Sequence, residues 1–182
     1  VIKMKKFTLK TIQTADEIAA PILIEFKEKY GMIPNFFAAL GIDGASLNGY
    51  LKFEESIKEF GSLSERQREL ISLNVANYNQ CHYCVSGHTF SAKRIGLTLE
   101  ECSDAQRGIA EDSGEQAMLF LSRTILERKG NISQDDIELA FYNGLTENQI
   151  IQVCAWTALN TFSNWVNNIT KPKIDFPKID II

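Results

Sequence analysis

The sequence predicts an all-α protein, a single-domain helical bundle of about seven to nine helices. Three observations predict this class. Apolar residues recur at intervals of three and four, patterns that start helices are frequent, and strand-like alternation with hairpin turn dipeptides is almost absent. A chain of 182 residues has the length of one well-packed domain, which we place over residues 1–182.

The predicted helix starts carry Ser or Thr followed three residues later by Glu or Gln. In such a capping box, the two side chains satisfy backbone N–H groups that the first turn leaves without partners. The pattern occurs at Thr14–Glu17, Ser64–Gln67, Thr98–Glu101, Ser113–Gln116 and Thr146–Gln149, with a weaker relative at Ser133–Asp136. With glycines at the expected helix ends, it places helices near residues 14–29, 34–40, 45–60, 64–78, 82–95, 98–106, 114–129, 134–143 and 146–168.

Two segments of the chain resemble each other. "LSERQRELISLNVANYNQ" from Leu63 and "LTENQIIQVCAWTALNTF" from Leu145 share the start L-[ST]-E-x-Q. Ile151 stands in the second copy where the first has Glu69, and Ser163 stands where the first has Cys81. We interpret the pair as a weak internal helical repeat in which only the first copy carries chemistry.

Two segments are expected to flank the helices. Residues 1–13 form an N-terminal arm with the densest basic stretch, "MKKFTLK". Residues 169–182 form a C-terminal tail, because the prolines of its two PKID units oppose helix formation. Since this tail ends strongly apolar, either its own domain or a neighbouring subunit has to cover it.

Composition excludes several classes of function. A net charge of -4 and a pI near 5.3 argue against a nucleic-acid surface, which usually has a clustered basic face. No apolar run approaches the roughly 18 residues of a membrane helix, so no membrane contact is expected. The start lacks the apolar core of a secretory signal, and we expect a cytoplasmic protein.

The stretch "NYNQCHYCVSGH", residues 77–88, holds the clearest chemical motif. In a reducing cytosol, a CxxC pair is more often catalytic, redox-sensing or metal-binding than structural. A helix that begins near Cys81 places Cys81, Cys84 and His88 on one face within about 60°. Cys81 then lies in the first turn, where unpaired N–H groups and the helix dipole favour a thiolate.

Glu69 lies on the preceding helix, with eleven residues between it and Cys81. The intervening chain, where Asn77 and Asn79 suit a turn, can fold back and set this carboxylate beside His88. A carboxylate–imidazole–thiol relay could then draw a proton from a cysteine. Two other readings of the four residues stay open: a zinc site, although structural zinc usually takes a second Cys or His pair, and inert core cysteines.

The arrangement Glu69, eleven residues, Cys81, two residues, Cys84, three residues, His88 resembles the signature of AhpD-like alkylhydroperoxidases of the carboxymuconolactone decarboxylase superfamily. The resemblance extends over roughly residues 30–165. It implies an all-α fold, homo-oligomers that are commonly trimers or hexamers, and reduction of hydroperoxides by the paired cysteines.

Carried over residue by residue, the resemblance makes Cys84 the peroxidatic sulfur and Cys81 the resolving one, with His88 relaying protons between Cys84 and Glu69. Better-known members have a histidine immediately before the second cysteine, where this chain has Tyr83, with His82 one place earlier. That departure bears on any proton relay at this position and on the choice of reductant.

The expected function is thus a thiol-dependent peroxidase acting on small alkyl hydroperoxides, without an organic cofactor or a metal. The resemblance implies a dithiol reductant, either a thioredoxin-like protein or a lipoyl group. Two alternatives are a lyase like the decarboxylase branch, which generally lacks the cysteine pair, and a non-catalytic zinc-binding or redox-sensing helical module.

Overall fold

A computed structural model describes residues 6–182, so the first part of the predicted arm, residues 1–5, lies outside the described residues. The described chain contains helices and no strand. The nine helices of this part are α1 (Ala19–Tyr30), α2 (Asn35–Leu40), α3 (Gly44–Phe60), α4 (Glu65–Tyr78), α5 (His82–Arg94), α6 (Leu99–Arg107), α7 (Ser113–Arg128), α8 (Gln134–Tyr142) and α9 (Glu147–Thr170). The all-α prediction is confirmed. Within residues 6–182, no helix is both long and apolar enough to cross a membrane.

The predicted capping boxes form at four helix starts. In each, the hydroxyl accepts from the backbone N–H three residues on, and that residue's side chain accepts from the N-cap N–H. These starts are Ser64–Gln67, Thr98–Glu101, Ser133–Asp136 and Thr146–Gln149. The caps are local, which explains why the boundaries of these helices follow from sequence.

Two predicted capping boxes are wrong, and in both a nearby aspartate takes the place of the hydroxyl. Helix α1 begins at Ala19 rather than near residue 14. At this start, the carboxylate of Asp16 accepts from the N–H groups of Ile18 and Ala19. The N–H groups of Ala19 and Gly44 lower the pKa of Asp16. At α7, Asp112 rather than Ser113 is the N-cap. A carboxylate interacts with the helix dipole more strongly than a hydroxyl does.

Helix α4 lies at the centre of the bundle and packs against α5, α6, α7 and α9. Its side chains Ile71, Leu73 and Val75 are fully buried. One apolar cluster joins α4 to α6, α7 and α9, and a second lies between α1, α2, α3 and the start of α5. The start of α5, with both motif cysteines, therefore belongs to the core.

The two copies of the internal repeat share their start but differ in how they continue. Helices α4 and α9 both open with a capping box whose third residue is glutamine. The first copy turns at Gln80, which has a left-handed φ of 54°, and a new helix follows. The second copy continues as helix to Thr170, so Ser163 lies inside a helix and Ile151 is exposed to solvent.

The C-terminal tail is extended and packs on its own domain. It comprises residues 171–182 and begins two residues later than predicted, because α9 continues to Thr170. Its side chains Ile174, Phe176, Ile179 and Ile181 lie against the apolar cluster that contains Cys81 and Cys84. Along its length, the N–H of Ile179 donates to Ser86 Oγ and the N–H of Ile182 donates to Asn77 Oδ1, each at 3.0 Å. The question left open by the sequence is thereby answered: the domain itself covers this tail.

Asp175, in the first PKID unit, anchors the tail to two helices. Its carboxylate accepts from the backbone N–H and the side-chain amide of Asn35, both at 2.7 Å, and from the hydroxyl of Tyr83 at 2.7 Å. Asn35 is the first residue of α2, whose N-cap Pro34 offers no side-chain cap, so the tail supplies it. Burial and this carboxylate raise the pKa of Tyr83 well above its usual value, and the phenol stays a donor.

Replacing Asp175 with alanine is expected to lower the free energy of unfolding by about 2 kcal/mol, since hydrogen bonds to a charged group are each worth about 1.5–3 kcal/mol. Asp180→Ala in the second PKID unit is the matched control, because Asp180 is exposed and pairs only with Lys178 among the described residues. Urea unfolding measures both variants. Equal stability of the two would show that Asp175 does not anchor the tail.

Candidate active site

The turn between α4 and α5 sets the first cysteine at the start of a helix. The chain reverses at Gln80, and the N–H of Cys81 donates to the carbonyl of Ala76 at 2.9 Å. Cys81 is the N-cap of α5, one residue before the first turn in which we had placed it. Its Sγ accepts from the N–H of Cys84 at 3.3 Å. In the reduced protein, an N-cap bond of this kind favours negative charge on the sulfur.

Cys81 and Cys84 are joined by a disulfide, with their Cα atoms 5.2 Å apart. Both residues are buried, with exposed fractions of 1% and 5%. A thiol pair in this position can open and close without movement of the backbone, because the Cα separation lies within the usual range for disulfides.

Glu69 and His88 meet one helical turn beyond Cys84. Glu69 Oε2 lies 2.9 Å from His88 Nδ1, between α4 and α5, and both side chains keep partial contact with solvent. His88 follows Cys84 by four residues, so the two lie on the same face of α5, one turn apart. A carboxylate can only accept at Nδ1, which leaves Nε2 free to take up a proton.

Sequence reasoning missed Asn167, which approaches the second cysteine from α9. Its Nδ2 donates to Cys84 Sγ at 3.3 Å, and the residue is 5% exposed. Asn160, Asn164 and Asn167 all lie on the buried face of α9. Because buried polar side chains need hydrogen-bond partners, these amides at helical spacing could have indicated from sequence that this face of α9 contacts polar groups inside the bundle.

The tail forms part of the surroundings of the cysteines. The ring of Phe176 packs edge-on against Tyr83, with 5.7 Å between ring centroids. Gly87 leaves room for this ring, since a Cβ there would lie 3.2 Å from Phe176. Tyr83 therefore contributes packing and an anchor for the tail at the position where the family resemblance led us to look for a histidine.

A cavity of about 390 Å³ lies between the start of α5, the end of α9 and the tail. Its lining includes Asn167, which contacts Cys84, and Lys171 and Ile174 from the start of the tail. The side chains of Gln80, His82 and Tyr83 complete this side of it. Neither Cys81 nor Cys84 lines this cavity, and Asn167 is the lining residue that contacts a sulfur.

The other two cysteines lie apart from this site. Cys102 is buried, and burial raises the pKa of its thiol to about 11, while Cys154 is exposed on α9. Among residues 6–182, no group of three or more His, Cys, Asp and Glu side chains is arranged to hold a metal ion. The four residues considered as zinc ligands form two pairs instead: the Cys81–Cys84 disulfide and the Glu69–His88 contact.

Two comparisons place the chain in a family. A model of the carboxymuconolactone decarboxylase family matches residues 45–125, a range that contains Glu69, Cys81, Cys84 and His88. Uncharacterized protein 4 in the cox locus of Paracoccus denitrificans is 35% identical over 77 residues, which are 40% of this chain and 69% of that protein.

Solved structures of similar fold extend the likeness over most of the chain. An uncharacterized peroxidase-related protein from Ralstonia eutropha, described as an alkylhydroperoxidase AhpD core, is 19% identical with a TM-score of 0.79, over 94% of this chain and 92% of that one. A peroxidase-related protein from Silicibacter sp. is 22% identical with a TM-score of 0.78, over 96% of both chains. The apo debrominase Bmp8 is 16% identical with a TM-score of 0.71, over 86% of both. The chain belongs to the carboxymuconolactone decarboxylase family and has the AhpD-like fold.

Proposed function

We propose that this protein is a thiol-dependent peroxidase that reduces small alkyl hydroperoxides through a dithiol–disulfide cycle of Cys84 and Cys81. The observation that carries the proposal is the disulfide itself, at the start of α5 and one helical turn before the Glu69–His88 contact. The two sulfurs of the cycle must reach bonding distance, and they do so within one turn of backbone. The peroxidase-related descriptions of the similar structures from Ralstonia and Silicibacter support the same class of activity.

In the proposed cycle, the Cys84 thiolate attacks the distal oxygen of the hydroperoxide. The O–O bond breaks, an alkoxide leaves, and Cys84 becomes a sulfenic acid. The Cys81 thiol then condenses with the sulfenic acid, which releases water and forms the disulfide. The sulfur pair loses the two electrons that the hydroperoxide gains.

The Glu69–His88 pair supplies the proton transfers. His88 takes the proton of the Cys84 thiol before attack and returns it to the departing alkoxide, which leaves as alcohol. Glu69 fixes the imidazole with its proton on Nδ1. Neither step requires a metal or an organic cofactor.

A dithiol donor returns the enzyme to its reduced form by thiol–disulfide exchange. A thioredoxin-like protein or a lipoyl group fits this role, and a reducing compartment such as the cytoplasm supplies both. Because the two cysteines are buried, a slender lipoyl arm would reach them with less rearrangement than a folded protein partner.

Counting thiols tests the proposal. Fully reduced, denatured protein should contain four free thiols, the number of cysteines in the chain. After reaction with one equivalent of tert-butyl hydroperoxide, two should disappear, and dihydrolipoamide should restore them. Unchanged thiol content after addition of the hydroperoxide would refute the cycle.

Three further measurements on the purified protein distinguish the proposed peroxidase from alternative functions. Turnover of a lactone or keto acid by protein with both site cysteines alkylated would indicate a lyase, and near-stoichiometric zinc in the purified protein would indicate a metal-binding module. Because Bmp8 is described as a debrominase, consumption of 2,3,4-tribromopyrrole would indicate that the thiolate acts on carbon–bromine bonds instead.

We also propose that the protein assembles as a homo-oligomer, a trimer or hexamer by family resemblance, through the outer face of α9. This outer face consists of exposed residues at intervals of three and four: Ile151, Cys154, Ala158, Phe162, Trp165 and Ile169. The only charged residue of α9 is Glu147, at its start. Such a long apolar stripe is typical of a helix that packs against another helix.

Trp165→Glu is expected to shift the protein toward monomers, since a charge would be buried in the proposed contact. Tyr142→Glu on α8 is the control, because Tyr142 is also a highly exposed aromatic side chain but lies outside the stripe. Sedimentation velocity reports the mass of both variants. An unchanged assembly in the Trp165 variant would exclude this face as the interface.

A further inference from the structure

The side-chain amide of Asn167 has a hydrogen-bond partner for its nitrogen but none for its oxygen among residues 6–182. Its Nδ2 donates to the Sγ of Cys84, here in the disulfide, but its Oδ1 is buried and has no hydrogen-bond partner in the described part of the chain. An unpartnered buried oxygen costs the desolvation of a polar group. Among the five buried side-chain atoms of residues 6–182 without a partner, this one belongs to the residue that contacts Cys84 Sγ. An unpaired acceptor next to a reactive sulfur can accept a hydrogen bond from a substrate that is present only during the reaction.

We infer that Asn167 is a catalytic residue with two roles at Cys84: its N–H group stabilises the thiolate, and its carbonyl oxygen binds the O–H group of the incoming hydroperoxide. The inference rests on the proposed peroxidase function and extends it. Asn167 lines the 390 Å³ cavity and also contacts the sulfur, so it connects this cavity with the reacting atom.

The two roles follow from the chemistry of attack. The thiolate is the reacting form, and an N–H donor lowers the free energy of the anion more than that of the thiol. The oxygen that sulfur attacks is the one that carries hydrogen. A carbonyl oxygen that accepts this hydrogen holds the O–O bond next to sulfur, in line for displacement. The hydrogen stays with that oxygen in the sulfenic acid, and His88 protonates the alkoxide.

The other donor at this site does not replace Asn167. The N–H of Cys84 donates to Cys81 Sγ, so the helix start favours the anion at the resolving sulfur. Among residues 6–182, the side-chain hydrogen bond recorded at Cys84 Sγ is that of Asn167. The proposed stabilisation of a Cys84 thiolate therefore depends on a residue from α9, far away in sequence.

The test uses reduced protein in a Cys81→Ser background, so that Cys84 cannot form the disulfide. The pH dependence of Cys84 alkylation by iodoacetamide, followed by mass spectrometry, reports the thiolate. Stopped-flow oxidation by tert-butyl hydroperoxide reports the peroxide step. Asn167→Ala removes both roles, and Asn167→Asp keeps the shape but places a carboxylate next to sulfur. Asn160→Ala is the control, since Asn160 is buried on the same helix and donates to the Trp156 carbonyl.

In Asn167→Ala, the midpoint of alkylation should rise by about one pH unit, the effect of one hydrogen bond to a charged group. In Asn167→Asp it should rise further, because like charges repel. At a pH where Cys84 is fully thiolate in both the Asn167→Ala variant and its parent, oxidation of the variant by hydroperoxide should still be about tenfold slower than that of the parent. This is the effect of losing one hydrogen bond. The alkylation rate at that pH should be unchanged, and Asn160→Ala should behave like its parent.

Each role can be overturned separately. Unshifted midpoints in both Asn167 variants would refute stabilisation of the thiolate. Equal rates of oxidation by hydroperoxide in Asn167→Ala and its parent at high pH would refute binding of the O–H group by Asn167. If Cys84 with Asn167 intact does not react with hydroperoxide at all, the proposed function and the O–H role fail together, whereas a shifted midpoint would still support the N–H role.

Discussion

Replacing Cys84 with serine is expected to lower the rate of hydroperoxide reduction by at least about a thousandfold, the scale of loss when a catalytic nucleophile is removed. A serine hydroxyl does not ionise near neutral pH, and it cannot be oxidised to the equivalent of a sulfenic acid. The measurement is hydroperoxide consumption with excess dihydrolipoamide. Cys102→Ala is the control for cysteine loss, because the buried Cys102 lies outside the site.

The Cys81→Ser variant distinguishes the two sulfurs. If Cys84 attacks and Cys81 resolves, this variant should consume one equivalent of hydroperoxide per subunit in a rapid burst, after which steady turnover is lost. One contact favours the reverse assignment: the N–H of Cys84 donates to Cys81 Sγ, which stabilises an anion at Cys81 in the reduced protein. A burst in Cys84→Ser and none in Cys81→Ser would reverse the assignment.

The sequence predicted features whose causes are local. Four of the capping boxes formed because their two partners lie three residues apart, and the helices followed from them. At α1 and α7, two acceptors competed within a few residues, and an aspartate took the position expected for a hydroxyl. Such competition depends on the exact turn before the helix, which a spacing pattern does not specify.

Features that depend on distant parts of the chain were not predicted. Asn167 and Cys84 are 83 residues apart, and Tyr83 and Asp175 are 92 residues apart. Each contact depends on how α9 and the tail dock on α5, which helical periodicity alone does not determine. Glu69 and His88 were easier to pair, because consecutive helices joined by a short turn usually pack side by side.

Glu69→Gln is expected to lower the rate of Cys84 oxidation by about a hundredfold or more, the usual contribution of a positioned acid–base group. The glutamine amide can donate to Nδ1, which Glu69 as a carboxylate cannot. The imidazole proton would then shift to Nε2, and the nitrogen needed as base would no longer accept a proton. Glu65→Gln, one turn earlier on the exposed side of α4, is the matched control. Stopped-flow oxidation of the reduced enzyme measures this step apart from its reduction.

The proposed relay also predicts how this substitution combines with loss of the imidazole. If Glu69 acts only through His88, then Glu69→Gln in a His88→Ala background should have little further effect on the rate. Additive losses would mean that the two residues act independently, and Glu69 would then have to be assigned a separate role, such as holding α4 against α5. Since the two atoms are in direct contact at 2.9 Å, strong non-additivity is the expected result.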